Sequence, residues 1–213
     1  MQNSLREKLL SFERTYNVVE QDDAGGKTLI VRPMSNEWIE NSALLLTESF
    51  GESMGYLSVY RNFLLNQIRQ YLNKHILLIP KTLILVGVLR DEDGESQNDV
   101  LVGTVEVSFS PSTRSTQLTL NPPPDLPYLC NMAVEASYRG QGYGSLLLDA
   151  AEDMVYETGY KSLFLHVRHV DSPALGLYRK SGFSEEGEDW PLIRLFGLDQ
   201  RYLMKKSLVD RGG

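Results

Sequence analysis

One segment near the middle of the chain constrains the fold more than any other, because an apolar run there passes through a glycine-rich loop into a helical pattern. The run YLCNMAV (128–134) is typical of a strand buried on both faces. RGQGYG (139–144) follows it, and residues 142–158 then show the spacing of an amphipathic helix. This order suits a pyrophosphate group, because glycines admit a ligand to the backbone and the first helical N–H groups have no intrahelical acceptor. The segment predicts an α/β fold with a phosphate-binding turn.

Two other interpretations of the loop remain open at this point. It could be a tight strand-to-helix connection that binds nothing. It could also belong to a dinucleotide-binding fold, whose fingerprint is GxGxxG after the first strand, with an acidic residue on the next strand. Here the pattern is RxxGxG, it lies past the middle of the chain, and the next strand ends in His166-Val167-Arg168. The dinucleotide interpretation is therefore disfavoured.

Alternation and turn residues elsewhere predict the rest of the sheet. The predicted strands cover residues 28–34, 82–90, 99–110, 128–134, 162–167, a short piece near 183, and 201–208, and the predicted helices begin near 36, 53, 142 and 172. The acidic stretch DEDGESQN (91–98) has the composition of a hairpin turn, so its flanking strands should be antiparallel neighbours. The first 27 residues predict a short polar helix and a flexible lead-in.

Composition excludes several functional classes. The chain has 213 residues and a formal net charge of -7, which argues against a nucleic-acid partner. Cys130 is the only cysteine, so no intrachain disulfide and no Cys-based zinc site can form, and a reducing compartment fits. No apolar run is long enough to cross a bilayer, and the first residues lack a secretory signal. We expect one soluble domain with no membrane partner, either cytosolic or with a targeting segment already removed.

Two segments together resemble the GCN5-related N-acetyltransferase family. Residues 134–144 resemble the family's motif A, Q/R-x-x-G-x-G/A, and DSPALGLYRKSGF (171–183) resembles its motif B. The resemblance covers residues 28–208, which we expect to form the acetyltransferase domain between a lead-in (1–27) and a tail (209–213). It implies an α/β fold whose mixed central sheet has about seven strands, helices on both faces, and a splay between the fourth and fifth strands.

The resemblance implies that acetyl-CoA is the co-substrate and that no metal is needed. The implied acetyl-CoA contacts are Met132, Ala133, Val134, Arg139, Gly140, Gln141, Gly142, Tyr143, Gly144, Ser145, Asp171, Ser172 and Tyr178. Asp171 departs from the family pattern, which usually has Asn there to contact the pantetheine arm, so that contact should differ or pass through Ser172. The splay between the fourth and fifth strands suits the pantetheine arm of acetyl-CoA, because parallel strands that diverge expose backbone N–H and C=O groups that its amides can pair with.

Three side chains are implied to act in catalysis, beside a backbone N–H near Met132 that would polarise the thioester carbonyl. Tyr178 stands at the position of the tyrosine that protonates or stabilises the departing thiolate, although it could instead be a core aromatic. Tyr128 and His166 match the tyrosine and histidine that hold a water in several protein N-terminal acetyltransferases. His166 could instead simply pack against the sheet. An imidazole titrating near neutral pH would suit a base or proton relay, with Glu106 as the fallback base.

The expected substrate is a protein or peptide with a free amine. The apolar loop EDWPLIRLFGLDQ (188–200), containing Trp190, Leu192, Ile193 and Phe196, could line a peptide groove together with GESMGY (51–56), or pack on its own core. A general resemblance to plastid members implies activity on both α-amines and lysine ε-amines, and a plastid location. Two alternatives remain. A small-amine acetyltransferase would have a closed acidic pocket, and a non-catalytic module would bind acyl-CoA without turnover.

Overall fold

The computed structural model describes residues 2–18, 26–54, 60–91, 99–115 and 119–209. In chain order the elements are α1 (Gln2–Leu10), β1 (Arg14–Val18), β2 (Lys27–Pro33), α2 (Ile39–Met54), α3 (Arg61–His75), β3 (Thr82–Asp91), β4 (Val100–Ser108), β5 (Tyr128–Val134), α4 (Tyr143–Glu157), β6 (Ser162–Arg168), α5 (Ser172–Lys180), β7 (Ser184–Glu188) and β8 (Arg201–Ser207). Short 3-10 turns precede α2 and lie at Pro111–Thr113, Ala136–Tyr138 and Pro191–Phe196.

The eight strands form one mixed sheet in the order β1-β2-β3-β4-β5-β6-β8-β7. Only β5 and β6 are parallel neighbours, and every other adjacent pair is antiparallel. The β3–β4 pairing confirms that the acidic stretch joins antiparallel neighbours, although residues 92–98 lie outside the described residues. The fold class predicted from the sequence is therefore confirmed, with eight strands in place of about seven.

The additional strand lies in the segment interpreted as a lead-in. β1 pairs with β2 from Arg14↔Val31 to Val18↔Lys27, and Leu9 and Phe12 are buried in the main core. The sequence RTYNV is a weak strand signal, because its residues are at most half-buried and that burial depends on pairing with β2. The last strand of the chain does not lie at the edge of the sheet, because β8 inserts between β6 and β7.

Two cores cover opposite faces of the sheet. α1, α4 and α5 pack on one face, where Leu147, Leu148 and Met154 of α4 are completely buried. α2 and α3 pack on the other face through buried residues that include Leu46 and Leu72. Helices therefore lie on both faces, as the sequence predicts.

The parallel strands diverge soon after they start. β5 and β6 pair only at Tyr128↔Phe164 and Leu129↔Leu165, and their remaining residues have no partner across the gap among the described registers. α4 packs closely on β4, the neighbour of β5, because a Cβ at Gly103 of β4 would come within 2.6 Å of the Leu147 side chain. The splay predicted between the fourth and fifth strands is confirmed. These strands are β5 and β6 of the structure because β1 was not predicted, and their divergence opens a site at the middle of the sheet.

Candidate active site

A cleft of about 290 Å³ occupies the opening between β5 and β6. Its lining includes five of the sequence-predicted site residues, namely Tyr128, Met132, His166, Asp171 and Tyr178. The divergence of the two strands brings these residues together, although they come from three separate elements. We call this cavity the thioester cleft.

Tyr178 contributes both to the thioester cleft and to the core. Its hydroxyl donates to the Met132 Sδ at 3.8 Å, while its ring meets Phe183 edge to face. Burial, with a smaller contribution from the Asp171 carboxylate, raises the pKa of Tyr178 above its usual value. The phenol therefore keeps its proton and presents a neutral donor next to a weak thioether acceptor.

Asp171 is the last residue of the connection between β6 and α5, and it is the N-cap of α5. Its carboxylate accepts from the Ala174 backbone N–H at 3.3 Å, and Pro173 follows in the first turn, where a missing N–H costs nothing. This use of the side chain explains why an acid is tolerated where the family usually has Asn. Ser172 is exposed and is not part of the cleft lining.

The glycine loop turns the chain from β5 into α4. Gly140 and Gly142 have φ values of +77° and +94°, in the left-handed region that favours glycine. Gly142 is the N-cap of α4, and no described side chain caps that end of the helix. The Ser145 N–H turns back to the Gly142 carbonyl at 2.9 Å, and the positive end of the helix dipole favours an anion at this terminus.

The loop joins the thioester cleft at Gly144, where an added Cβ would lie 3.9 Å from the Met132 side chain and 3.5 Å from that of Leu177. Ala133 and Tyr143 are two of the expected acetyl-CoA contacts. Ala133 is buried towards α2 and α3, and Tyr143 is buried against Tyr138, so each can offer only backbone atoms to a ligand.

Arg139 already has protein partners. Its Nε donates to the Val134 carbonyl at 2.9 Å, and its Nη1 lies 2.6 Å from the Glu52 carboxylate on α2. Neighbouring Gln141 donates to the Ser137 carbonyl at 2.8 Å. To contact a phosphate, the Arg139 guanidinium must therefore either bind it together with Glu52 or give up the ion pair with Glu52.

Tyr128 and His166 form a direct hydrogen bond of 2.9 Å between the phenol oxygen and Nδ1. On the other side of the ring, His166 Nε2 lies 2.8 Å from the Leu120 carbonyl, which can only accept. The proton must therefore reside on Nε2, and the Tyr128 hydroxyl must donate to Nδ1. The unused lone pairs of the phenol oxygen remain free to accept from a third group.

Burial controls the protonation of this pair. Burial lowers the pKa of His166 from 6.5 to about 4, and the positive charge of Arg201 makes a smaller contribution in the same direction. Burial also raises the pKa of Tyr128 above its usual value. The expectation of an imidazole that titrates near neutral pH is thus corrected, because desolvation disfavours the imidazolium and keeps His166 neutral.

A second cleft of about 510 Å³ lies on the α3 side of the same strand, and we call it the acceptor cleft. Both clefts are lined by Phe50, Tyr128, Cys130 and Asn131, so the two cavities meet at these residues. Its remaining lining residues are Leu46, Gln67, Ile68, Gln70, Tyr71, Lys74, Thr113 and Ser115. None of these described lining residues is acidic, and Lys74 is the charged residue among them.

Glu106 lies beneath the acceptor cleft rather than in its wall. The side chain is completely buried, and its two carboxylate oxygens contact Tyr71, His75, Thr82 and Asn131, each at 2.7 Å. Because the two described clefts do not include Glu106 in their linings, the geometry gives it no direct access to a substrate amine.

Residues 38–183 match the family described as Acetyltransferase (GNAT) family. This chain is a member of the GNAT acetyltransferases. The match extends from the residue before α2 to the residue before β7, and so includes both strands of the splay and the glycine loop. It confirms the family predicted from the two motifs.

Several proteins share parts of this GNAT chain. GCN5-related N-acetyltransferase 5, chloroplastic, from Arabidopsis thaliana is 35% identical over an alignment of 187 residues that covers 84% of this chain and 58% of that protein. The chain thus spans less than two thirds of that relative. Thialysine N-epsilon-acetyltransferase from Bos taurus is 30% identical, covering 57% of this chain and 68% of its own. [Ribosomal protein bS18]-alanine N-acetyltransferase from Escherichia coli is 39% identical over 57 residues, covering 27% and 38%.

The fold is shared with solved GNAT structures. PaiA N-acetyltransferase from Thermoplasma acidophilum, solved in complex with coenzyme A, superposes with a TM-score of 0.61 at 20% identity, covering 84% of this chain and 98% of the other. In the described part of this GNAT chain, no helix is long and apolar enough to span a membrane. The same residues contain no cluster of three or more His, Cys, Asp or Glu side chains able to hold a metal ion.

The apolar loop at 188–200 divides between core and surface. Ile193 is buried, whereas Trp190 and Leu192 are 66% and 43% exposed. The side chain of Phe196 lies outside the described residues, as do Gly55 and Tyr56 of the second expected groove segment. Glu52 in that segment is exposed beside Arg139. A groove that joins the two segments remains a prediction.

Three residues that line or contact this GNAT site were not identified from the sequence. Leu120 acts through its carbonyl, and any residue supplies a carbonyl. Phe50 reaches both clefts only because α2 packs across β5. Asn131 did carry a signal, since it is a polar residue inside the apolar run and Asn tolerates a left-handed backbone.

Proposed function

We propose that this protein transfers an acetyl group from acetyl-CoA to the amines of proteins, with Tyr128 and His166 receiving the proton that the amine releases. The observation that carries the proposal is their 2.9 Å hydrogen bond, because Tyr128 lies where the acceptor cleft and the thioester cleft meet. An amine entering from one cavity and a thioester entering from the other would come together beside the phenol oxygen.

The chain offers a consistent set of groups for acetyl-CoA. The uncapped N-terminus of α4 and the glycine loop would hold the pyrophosphate, with Arg139 joining after it leaves Glu52. Unpaired edges of β5 and β6 would hold the pantetheine arm between Met132 and Val167. The bend in β5 after Cys130 would direct the Met132 N–H at the thioester oxygen, where negative charge develops.

The proton movements follow from the hydrogen-bond directions. An attacking amine must be neutral, and it loses a further proton as the new C–N bond forms. The Tyr128 oxygen can accept that proton, directly or through a water, while the phenol proton moves to Nδ1 of the neutral His166. Because burial lowers the pKa of His166 to about 4, the resulting imidazolium is short-lived and passes its proton on to solvent. On the opposite side of the thioester, the protonated Tyr178 can donate to the departing thiolate.

Direct transfer fits this site better than an acetyl-enzyme. Cys130 lines both clefts, but burial raises the pKa of its thiol well above the usual value. A thiol that keeps its proton is a poor nucleophile. The acetyl group would therefore pass straight from the thioester to the amine.

The walls of the acceptor cleft favour a protein amine over a polyamine. A polyamine needs several anionic contacts, whereas the described lining consists of neutral polar groups, apolar groups and Lys74. Gln67, Gln70 and Lys74 are exposed on one face of α3, so the cavity is open to a chain-like substrate. The second candidate substrate is a small amino acid that carries an amine and a carboxylate, because one relative is a bovine enzyme named for thialysine.

We further propose a plastid location and activity on both α-amines and lysine ε-amines. The Arabidopsis relative whose name includes "chloroplastic" supports the location. The E. coli relative named for a ribosomal-protein alanine supports an α-amine substrate. The acceptor cleft of about 510 Å³, bordered by exposed residues of α3, would leave room for a longer lysine side chain.

The experiment is a competition between substrate classes. Purified protein is incubated with acetyl-CoA and a degenerate peptide library whose members carry free N-termini and internal lysines, in parallel with spermidine and thialysine. Mass spectrometry should show acetylated peptide α-amines with turnover well above that of either small molecule. Faster acetylation of thialysine would contradict the protein-amine assignment, and tight acetyl-CoA binding without turnover on any amine would indicate the non-catalytic module.

A further inference from the structure

We propose that Glu106 is a positioning residue: its buried carboxylate holds Asn131 in a left-handed backbone conformation, and that conformation aims the next N–H, of Met132, at the thioester. This inference rests on the proposed acetyl transfer and adds a role for a residue that touches neither substrate.

The bend in β5 is a local insertion in the sheet. Thr104 pairs with Ala133 and Glu106 pairs with Cys130, so a single residue of β4 faces both Asn131 and Met132 of β5. This is the arrangement of a β-bulge, which turns the strand and redirects the neighbouring backbone groups. The redirected segment lies where the thioester and acceptor clefts meet.

Asn131 has a φ of +49°, in a region that an L-residue avoids unless its surroundings hold it there. Its side chain supplies the hold, because Nδ2 lies 2.7 Å from Glu106 Oε2 and 3.0 Å from the Tyr71 hydroxyl. Without the bulge, the rest of β5 would shift by one residue and present its opposite face to the cleft. Met132 would then leave Tyr178, its contact at 3.8 Å.

The carboxylate is itself fixed from three directions. Tyr71 and His75 approach it from α3, Thr82 from β3 and Asn131 from β5, so each oxygen receives two contacts. The Tyr71 ring also stacks on His75 with centroids 3.7 Å apart. A buried carboxylate surrounded in this way is a rigid acceptor, and neither of its oxygens is left for a substrate proton.

The test uses the tolerance of glycine for positive φ. Asn131→Gly keeps the bulge accessible without the side-chain anchor, whereas Asn131→Ala removes the anchor and disfavours the conformation. On whichever amine the wild type acetylates fastest, Asn131→Ala should lower kcat by ~10²-fold, as expected for a lost oxyanion donor, while Asn131→Gly should retain most of it. The KM for acetyl-CoA should change little in both, because the pyrophosphate loop is untouched.

Glu106→Gln should also lower kcat, and adding Asn131→Gly to it should raise kcat again by several-fold. Gain of activity from a second substitution separates positioning from the two other roles. If Glu106 were the base or only a stabilising core residue, Glu106→Gln/Asn131→Gly would be no better than Glu106→Gln, and the inference would be wrong. Glu152→Gln is the matched control, because Glu152 is another buried carboxylate, paired at 2.5 Å with Lys206 away from both clefts.

A binding measurement tests the same point independently of turnover. The Met132 amide resonance should shift on titration with acetyl-CoA in the wild type and in Asn131→Gly, and should not shift in a folded Asn131→Ala. Equal shifts in all three proteins would overturn the positioning role. A wild type that acetylates only small amines would contradict the protein-amine proposal while leaving this inference standing.

Discussion

Replacing His166 with Gln should remove a pH-dependent part of the free energy of unfolding. In the folded protein, burial and Arg201 lower the pKa of His166 from 6.5 to about 4, so the unfolded chain binds this proton more readily. The associated stability is fully present above pH 6.5 and is lost as the pH falls through the window between 6.5 and about 4. His166→Gln has no group that titrates there, and its amide can still donate to the Leu120 carbonyl.

The size of the effect follows from the shift. The interval from 6.5 to about 4 corresponds to about 3 kcal/mol at ~1.4 kcal/mol per pKa unit, an upper limit because water at the cleft screens the imidazolium. Between pH 7 and pH 4 the wild type should therefore lose up to about 3 kcal/mol more stability than His166→Gln, beyond the loss that both share from carboxylates.

Urea unfolding of both proteins at half-unit pH steps measures this difference directly, with the midpoints and slopes fitted separately. Nuclear magnetic resonance of the His166 ring should also give a titration midpoint near 4. Parallel stability curves for the two proteins, or a ring midpoint near 6.5, would refute the argument that His166 is desolvated and neutral at the site.

Three further predictions concern the co-substrate. Gly142→Trp should abolish acetyl-CoA binding by calorimetry, whereas Gly159→Trp, at the other end of α4 and with a similar φ of +97°, should bind normally; equal affinities would remove the loop assignment. Tyr178→Phe should lower turnover by about 10²-fold with little change in acetyl-CoA affinity, and unchanged turnover would return this residue to the core. Glu52→Gln should tighten acetyl-CoA binding, because it frees the Arg139 guanidinium from a 2.6 Å ion pair, and weaker binding would show that Glu52 instead orients the arginine.

Local patterns predicted much of this fold, because the strand–loop–helix order is written in contiguous residues. The apolar run, the glycine loop and the amphipathic α4 all lie within 128–158, and each was identifiable from residue type alone. β1 was not, since RTYNV has no buried alternation of its own and becomes a strand by pairing with β2. Edge strands depend on a neighbour that is distant in sequence, and such pairings are invisible to local propensity.

The candidate site divides in the same way. Tyr128 and His166 were identified because they match the positions of a tyrosine and a histidine in several N-terminal acetyltransferases, and the structure does bring them together. Their protonation could not be predicted, because it depends on burial and on Arg201 from β8. The contacts of Glu106 were equally hidden, since four residues from three other elements converge on it only after folding.

A double-mutant cycle on Tyr128 and His166 tests the central claim most directly. The measurement is kcat/KM for peptide α-amines with wild type, Tyr128→Phe, His166→Gln and the double variant, at a fixed pH and with folding checked for each. If the pair moves the amine proton as a unit, each single change should cost about 10²-fold or more, and the double change should cost little more than the worse single one. Full activity in both single variants, or losses that simply multiply in the double variant, would contradict the account.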